Sequence, residues 1–93
     1  MTFFIYILQS EIDKSFYKGF TEYLNQRLIQ HNSGESEYTS HKRPWKLVHF
    51  EIYSTKKDAL IRERAVKKYG HERILRLIQS PKNQLNIFLE KPD

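Results

Sequence analysis

A chain of 93 residues, 39% hydrophobic and 14% aromatic, has room for one domain with one core and is too rich in aromatic side chains to be disordered. It contains no cysteine, which excludes disulfides, thiolate nucleophiles, zinc ribbons and iron–sulfur clusters, so any metal must be held by oxygen or imidazole. Lys and Arg outnumber Asp and Glu by sixteen to eleven, and the surplus is lopsided: residues 1–40 hold three basic and five acidic side chains, residues 41–93 thirteen and six. That concentration is the electrostatic footprint of a nucleic-acid binder, although small basic domains without a specific ligand share it.

The first apolar run, Phe3–Leu8, is too short to span a membrane and has no basic segment before it. Nothing directs export, so the expected compartment is the cytoplasm. Being aromatic and β-branched on both alternating faces, the run predicts a central strand. The polar turn Ser10–Lys14 follows, and then a second strand over Ser15–Phe20, giving a hairpin. Thr21 is the expected N-cap of a helix over 22–32, with Glu22 in its first turn and Gly34 beyond its end. Leu24 and Leu28 form its apolar stripe; Tyr23, Arg27 and His31 form an adjacent stripe at the same four-residue spacing. Residues 33–45 lack apolar periodicity and read as a long loop. Lys46–Tyr53 predicts a third strand with Val48, Phe50 and Ile52 on one face. Thr55 and Asp58 then have capping-box spacing before a helix over 56–69 that Gly70 ends. A last helix is expected over 71–79. The domain is thus placed at 1–79, and 80–93 forms a tail whose Leu85, Ile87, Phe88 and Leu89 are apolar enough to dock.

On a helical wheel Ala59, Leu60 and Val66 define the buried arc of the 56–69 helix, and Glu63 falls between them. Two readings follow. Glu63 escapes to the arc's edge and pairs with Lys67, or it points inward as the lone carboxylate that a hydrated Mg²⁺ can use. Tyr6 and Tyr17 have strand parities that put both hydroxyls on one sheet face, where tyrosine also serves simple packing. A phenol is only about 0.1% ionised at pH 7, so a tyrosine base needs a neighbouring cation, a metal or a metal-bound hydroxide. Arg27 and His31 are either a solvated face or, next to those tyrosines, a phosphate fork and a proton carrier. His41, Lys42 and Arg43 beside Trp45 suit phosphate contact with base stacking, or a solvated loop anchored by the indole. His49 and His71 have no ligand spacing with the other histidines.

Phe4-Ile5-Tyr6 and Tyr17-Lys18-Gly19, with the tyrosines eleven apart, followed by Arg27, His31, Arg43-Pro44-Trp45 and a helix bearing Arg62-Glu63, resemble the GIY-YIG nuclease superfamily. The likeness covers about residues 2–79 and is greatest to the small single-domain proteins grouped as uncharacterised protein family 0213, related to the N-terminal domain of an excinuclease component. Phe4 stands where the motif has Gly, and Lys18 where it has Ile. The resemblance implies an α+β fold, a three-stranded antiparallel sheet flanked by about three helices, which agrees with the reading from the residues. It further implies that Tyr6, Tyr17, Arg27, His31 and Glu63 form a catalytic set and that Glu63 holds one Mg²⁺ or Mn²⁺ ion. The implied reaction is hydrolysis of a DNA phosphodiester by water, with Tyr6 the first choice of base and DNA repair or recombination the setting.

Lys18, Lys42, Arg43 and Lys67 are the expected backbone contacts. No recognition helix is evident, so sequence specificity should be low and cleavage structure-directed; RNA stays open as a substrate. The alternative is an accessory protein that binds nucleic acid on the same fold and cleaves little or only with a partner.

Overall fold

The computed structural model describes residues 1–86. Strand β1 (Phe3–Ser10) lies between β2 (Phe16–Thr21) and β3 (Trp45–Tyr53) in an antiparallel sheet of order β2-β1-β3. Helices α1 (Leu24–Ser33) and α2 (Glu37–Ser40) join β2 to β3; α3 (Lys56–Val66) and α4 (His71–Ile78) follow. The fold is the expected three-stranded α+β arrangement.

Side chains alternate across β1, so its two faces carry two cores. Phe3, Ile5 and Ile7 pack with Ala59 and Val66 of α3 and Ile74 and Leu77 of α4. Tyr6 and Leu8 pack on the other face with Trp45, Tyr17, Leu24 and Leu28. A strand covered on both sides has to be apolar on both parities, which is why Phe3–Leu8 reads as an unbroken run.

Several element boundaries differ from expectation for identifiable reasons. Thr21 still pairs with Phe4 in the ladder, so α1 begins at Leu24; the Thr21 hydroxyl accepts from the Tyr23 N–H in the turn between them. Glu22 therefore precedes the helix. Gly34 closes α1 at φ 85°, a left-handed conformation that favours glycine. The 33–45 segment is not all loop, since it contains α2 and a cis Arg43–Pro44 bond. Thr55 caps α3 as expected, accepting from the Asp58 N–H at 3.1 Å. The helix ends at Val66 rather than 69, and Gly70, extended, begins α4.

The largest departure is in β3. Its register on β1 shifts between Ile7 and Leu8, which oppose His49 and Leu47, so Val48 sits at a bulge. Past the bulge Phe50 and Ile52 share the Tyr6 face, while Val48 packs with the Ile5 and Ile7 core. His49 and Glu51 oppose Ile7 and Ile5, and are thereby carried into the core beneath α3. Glu51 is saturated there: His49 Nε2–H donates to it at 2.8 Å, Tyr53 O–H at 2.6 Å, and Arg62 through Nε at 2.9 Å and a terminal nitrogen at 3.2 Å. This ion pair ties α3 to β3. Beyond α4, the buried Asn83 donates to the carbonyls of Val48 and Ile78, fastening the start of the 80–93 segment to the β3 backbone. Ile87, Phe88 and Leu89 lie outside the described residues.

Candidate active site

The hairpin register decides which side chains meet. Tyr6 opposes Gly19, and Leu8 opposes Tyr17, so both tyrosines point to the α1 side of the sheet. A Cβ at Gly19 would lie 2.6 Å from the Tyr6 Cζ and hydroxyl; the glycine is the floor over which the phenol lies. Helix α1 adds His31, one turn after Arg27, and the three rings cluster: His31 is 4.7 Å from Tyr17 and 6.0 Å from Tyr6, and the tyrosines are 6.2 Å apart, centroid to centroid.

His31 is only 2% exposed, and both its ring nitrogens are engaged. Nε2 lies 3.0 Å from the Tyr6 hydroxyl and Nδ1 3.0 Å from the Thr39 hydroxyl. Thr39 Oγ1 in turn faces the Ser36 carbonyl at 3.5 Å, an acceptor to which only its proton can point. With the Thr39 proton on that carbonyl, Nδ1 of His31 is the protonated nitrogen and Nε2 the acceptor of the Tyr6 proton. Thr39 is fixed by the indole of Trp45, whose Nε1–H donates to the Thr39 carbonyl at 2.8 Å, while Asn32 bonds both the N–H and the carbonyl of Trp45. Trp45 is buried and serves as an anchor, not as a stacking platform for bases.

Charge completes the site. Burial, with Tyr17 and Glu63 adding to it and Arg27 opposing, pushes the Tyr6 phenol up to about 12. Burial and the Arg27 charge both lower the His31 pKa, keeping the imidazole neutral. Arg27 sits where two clefts meet, one bounded by Gln30, His31, Glu35 and Ser36 and one by Thr21, Tyr23, Gln26 and Gln30. Glu63, 18% exposed, faces Lys67 across 3.5 Å, so both readings of the helical wheel hold part of the answer: the carboxylate is half-buried and acts on Tyr6, and it also makes the i,i+4 pair.

The structure thus gathers Tyr6, Tyr17 and His31 into contact, with Arg27 and Glu63 acting on them electrostatically. The expected phosphate contacts are more dispersed. Lys18 opposes Ile7 on the far face, where its ammonium donates to the Tyr69 carbonyl at 2.8 Å and burial lowers its pKa. Lys42 pairs with Asp13 at 3.2 Å, and Arg43 is exposed, donating through Nε to the Ser40 carbonyl and packing its guanidinium over Gly34. Lys67 is more than half exposed at the rim that Tyr17 and Tyr38 share. Sequence reasoning missed Thr39, which carries no signal in an aperiodic segment, and the function of Gly19, for which a glycine inside a strand is the available signal.

No group of three or more His, Asp or Glu side chains could hold a metal among the described residues. A half-buried single carboxylate whose partner is one exposed lysine fits an ion that keeps most of its waters, as Mg²⁺ does. No helix of the described residues is long and apolar enough to cross a membrane.

Known proteins share this fold and much of this sequence. The profile of the GIY-YIG catalytic domain matches residues 2–73. A "UPF0213 protein" of Staphylococcus epidermidis is 42% identical over 77 residues, covering 82% of this chain and 93% of the relative, and one of Staphylococcus aureus matches to the same extent. The solution NMR structure of the UPF0213 protein BH0048 from Bacillus halodurans superposes with a TM-score of 0.58 at 29% identity, covering 88% of this chain and 87% of that one. With the motif tyrosines side by side on one sheet face and most of the chain matched, this protein belongs to the GIY-YIG family, a nuclease family, and is a relative of the UPF0213 proteins.

Proposed function

We propose that the protein is a metal-dependent endonuclease that hydrolyses DNA phosphodiester bonds with low sequence specificity. The observation that carries the reading is the buried chain Tyr6–His31–Thr39, which gives a phenol in a GIY-YIG domain a neutral imidazole to receive its proton. Arg27 holds the scissile phosphate and stabilises the negative charge that develops on it. Tyr6 takes a proton from the attacking water as its own passes to His31 Nε2. A phenol pushed up to about 12 is a strong base once ionised but reluctant to ionise, so transfer to His31 and the positive charge of Arg27 are what make it usable. Tyr17, against the His31 ring, orients the water. Glu63 would hold one Mg²⁺ or Mn²⁺ ion after release from Lys67, and the bound ion supplies neutralisation of the phosphate and stabilisation of the leaving oxygen.

The test is cleavage of labelled single-stranded, duplex, flap and branched DNA with Mg²⁺, Mn²⁺ or chelator, using wild type and Glu63→Ala. Metal-dependent product that disappears in the variant is expected, and the panel then shows whether cleavage is structure-directed. Salt-dependent binding without product under either metal would favour a non-cleaving accessory protein instead.

A further inference from the structure

A second basic surface lies across the sheet from Tyr6. Arg62, Tyr69, Arg73, Arg76, Ser80 and Lys82 line a cleft of about 290 Å³ between α3, α4 and the turn after α4. Arg62, in its lining, bonds Glu51 on the sheet face that carries Ile5, opposite the face of Tyr6. Among the described residues, Arg62 alone of its four cations is neutralised, by Glu51, no carboxylate lines the cleft, and Arg73, Arg76 and Lys82 make no ion pair. The surplus is three positive charges.

The cleft is also stiffened. The Arg73 guanidinium lies 3.8 Å over the Tyr69 ring, and the Tyr69 hydroxyl accepts from Arg62 at 3.2 Å. Arg73 is thus seated on the ring, and a guanidinium is the group that binds phosphate oxygens in pairs. Among the described residues Tyr69 is the only aromatic ring in the lining, and Arg73 already covers a face of it. The Ser80 hydroxyl donates to the Leu77 carbonyl at 2.7 Å, so it is not free to donate to a base. What remains is charge, two guanidinium groups and an ammonium, which suits phosphate oxygens.

We propose that this α3–α4 cleft binds the sugar-phosphate backbone of nucleic acid at a second place, away from the reacting bond. Arg73 and Arg76, one turn apart, and Lys82 beyond them offer a row of cations suited to successive phosphates. The site adds affinity without sequence preference and takes no part in the chemistry. The inference rests on the protein's engaging nucleic acid, and its test separates the two.

Arg73→Gln/Arg76→Gln and, separately, Lys82→Gln are compared with wild type by fluorescence anisotropy on labelled duplex and branched DNA from 50 to 300 mM salt. Circular dichroism checks that each variant is folded. Each lost phosphate contact should reduce the slope of log K against log salt by about 0.9, so the double variant loses about 1.8 and Lys82→Gln about 0.9. Cleavage by the variants should show a raised KM and an unchanged kcat. Wild-type binding with unchanged slopes in both variants would overturn the cleft and leave the nuclease reading standing. An absence of salt-dependent binding by wild type would overturn the cleft and weaken the nuclease reading together. Inorganic phosphate, titrated while the Arg73 Nε–H resonance is followed, should bind only at millimolar levels; tight phosphate binding with unchanged DNA slopes would assign the cleft to a free anion and overturn the backbone proposal.

Discussion

Thr39 is buried, and its side chain touches no candidate substrate position, yet it decides which nitrogen of His31 can accept a proton. Thr39→Val keeps the shape and removes the acceptor of the Nδ1 proton. Leaving that buried donor unpaired should cost about 1–3 kcal/mol of stability, read from urea midpoints. The cleavage rate should fall by about 10-fold or more, a share of the 10²–10⁴ that a positioned acid–base group supplies. A purely structural role predicts the stability loss with the rate per folded molecule unchanged. His31 also sets a pH dependence. Its pKa is lowered in the folded protein, so as pH falls below about 6.5 the unfolded chain takes up this proton first and stability declines. The rate should fall on the same acid side, because a protonated imidazole cannot receive the Tyr6 proton.

At the scale of elements, the β1–β2 hairpin and the β1–β3 pair do different work. The hairpin builds the candidate site, and Gly19→Ala tests it: the added methyl, 2.6 Å from the Tyr6 ring, must displace the phenol from its place beside His31. Overpacking of this kind costs about 1–3 kcal/mol, and cleavage should be lost while the fold persists. Retained activity would mean that the phenol's position is not needed. The β1–β3 pair holds Glu51. Burial alone would raise its pKa, but hydrogen bonds from His49, Arg62 and Tyr53 and the Arg62 charge prevail and draw it down to about 2. A depressed carboxylate stabilises fully above its unfolded value of 4.5 and loses that contribution as pH falls to about 2, which amounts to about 3 kcal/mol. Urea midpoints should drop across that window in wild type, whereas Glu51→Gln should start lower at pH 6 and change less; parallel curves would contradict the role of the carboxylate. Strand β1, the hairpin and the Thr55 cap were legible because each follows from contiguous residues. The Val48 bulge was not. Alternation through 46–53 assigns Val48, Phe50 and Ile52 to one face, and only the nonlocal partner Arg62 makes it possible for His49 and Glu51 to turn inward.

For the whole molecule, two sheet faces give two surfaces of different chemistry. The α1 side carries the tyrosines, His31 and Arg27; the α4 side carries Arg73, Arg76 and Lys82, which accounts for much of the basic surplus of residues 41–93. The ordered spacing of Tyr6, Tyr17, Arg27, His31 and Glu63 made the first surface readable, since strand parity and helix turns are local rules that project these side chains predictably. Thr39 escaped because its place is set by bonds from Asn32 to Trp45 and from Trp45 to Thr39, contacts that no periodicity encodes. The second surface escaped because α4 reads as an ordinary amphipathic helix until Tyr69 and Arg62 are packed beside it. The most direct measurement of the nuclease mechanism is the rate of metal-dependent cleavage of the preferred DNA by wild type, Glu63→Ala and Tyr6→Phe, each shown to be folded. Both variants should lose at least about 10²-fold in rate with DNA binding retained; wild-type rates in either folded variant would contradict the mechanism.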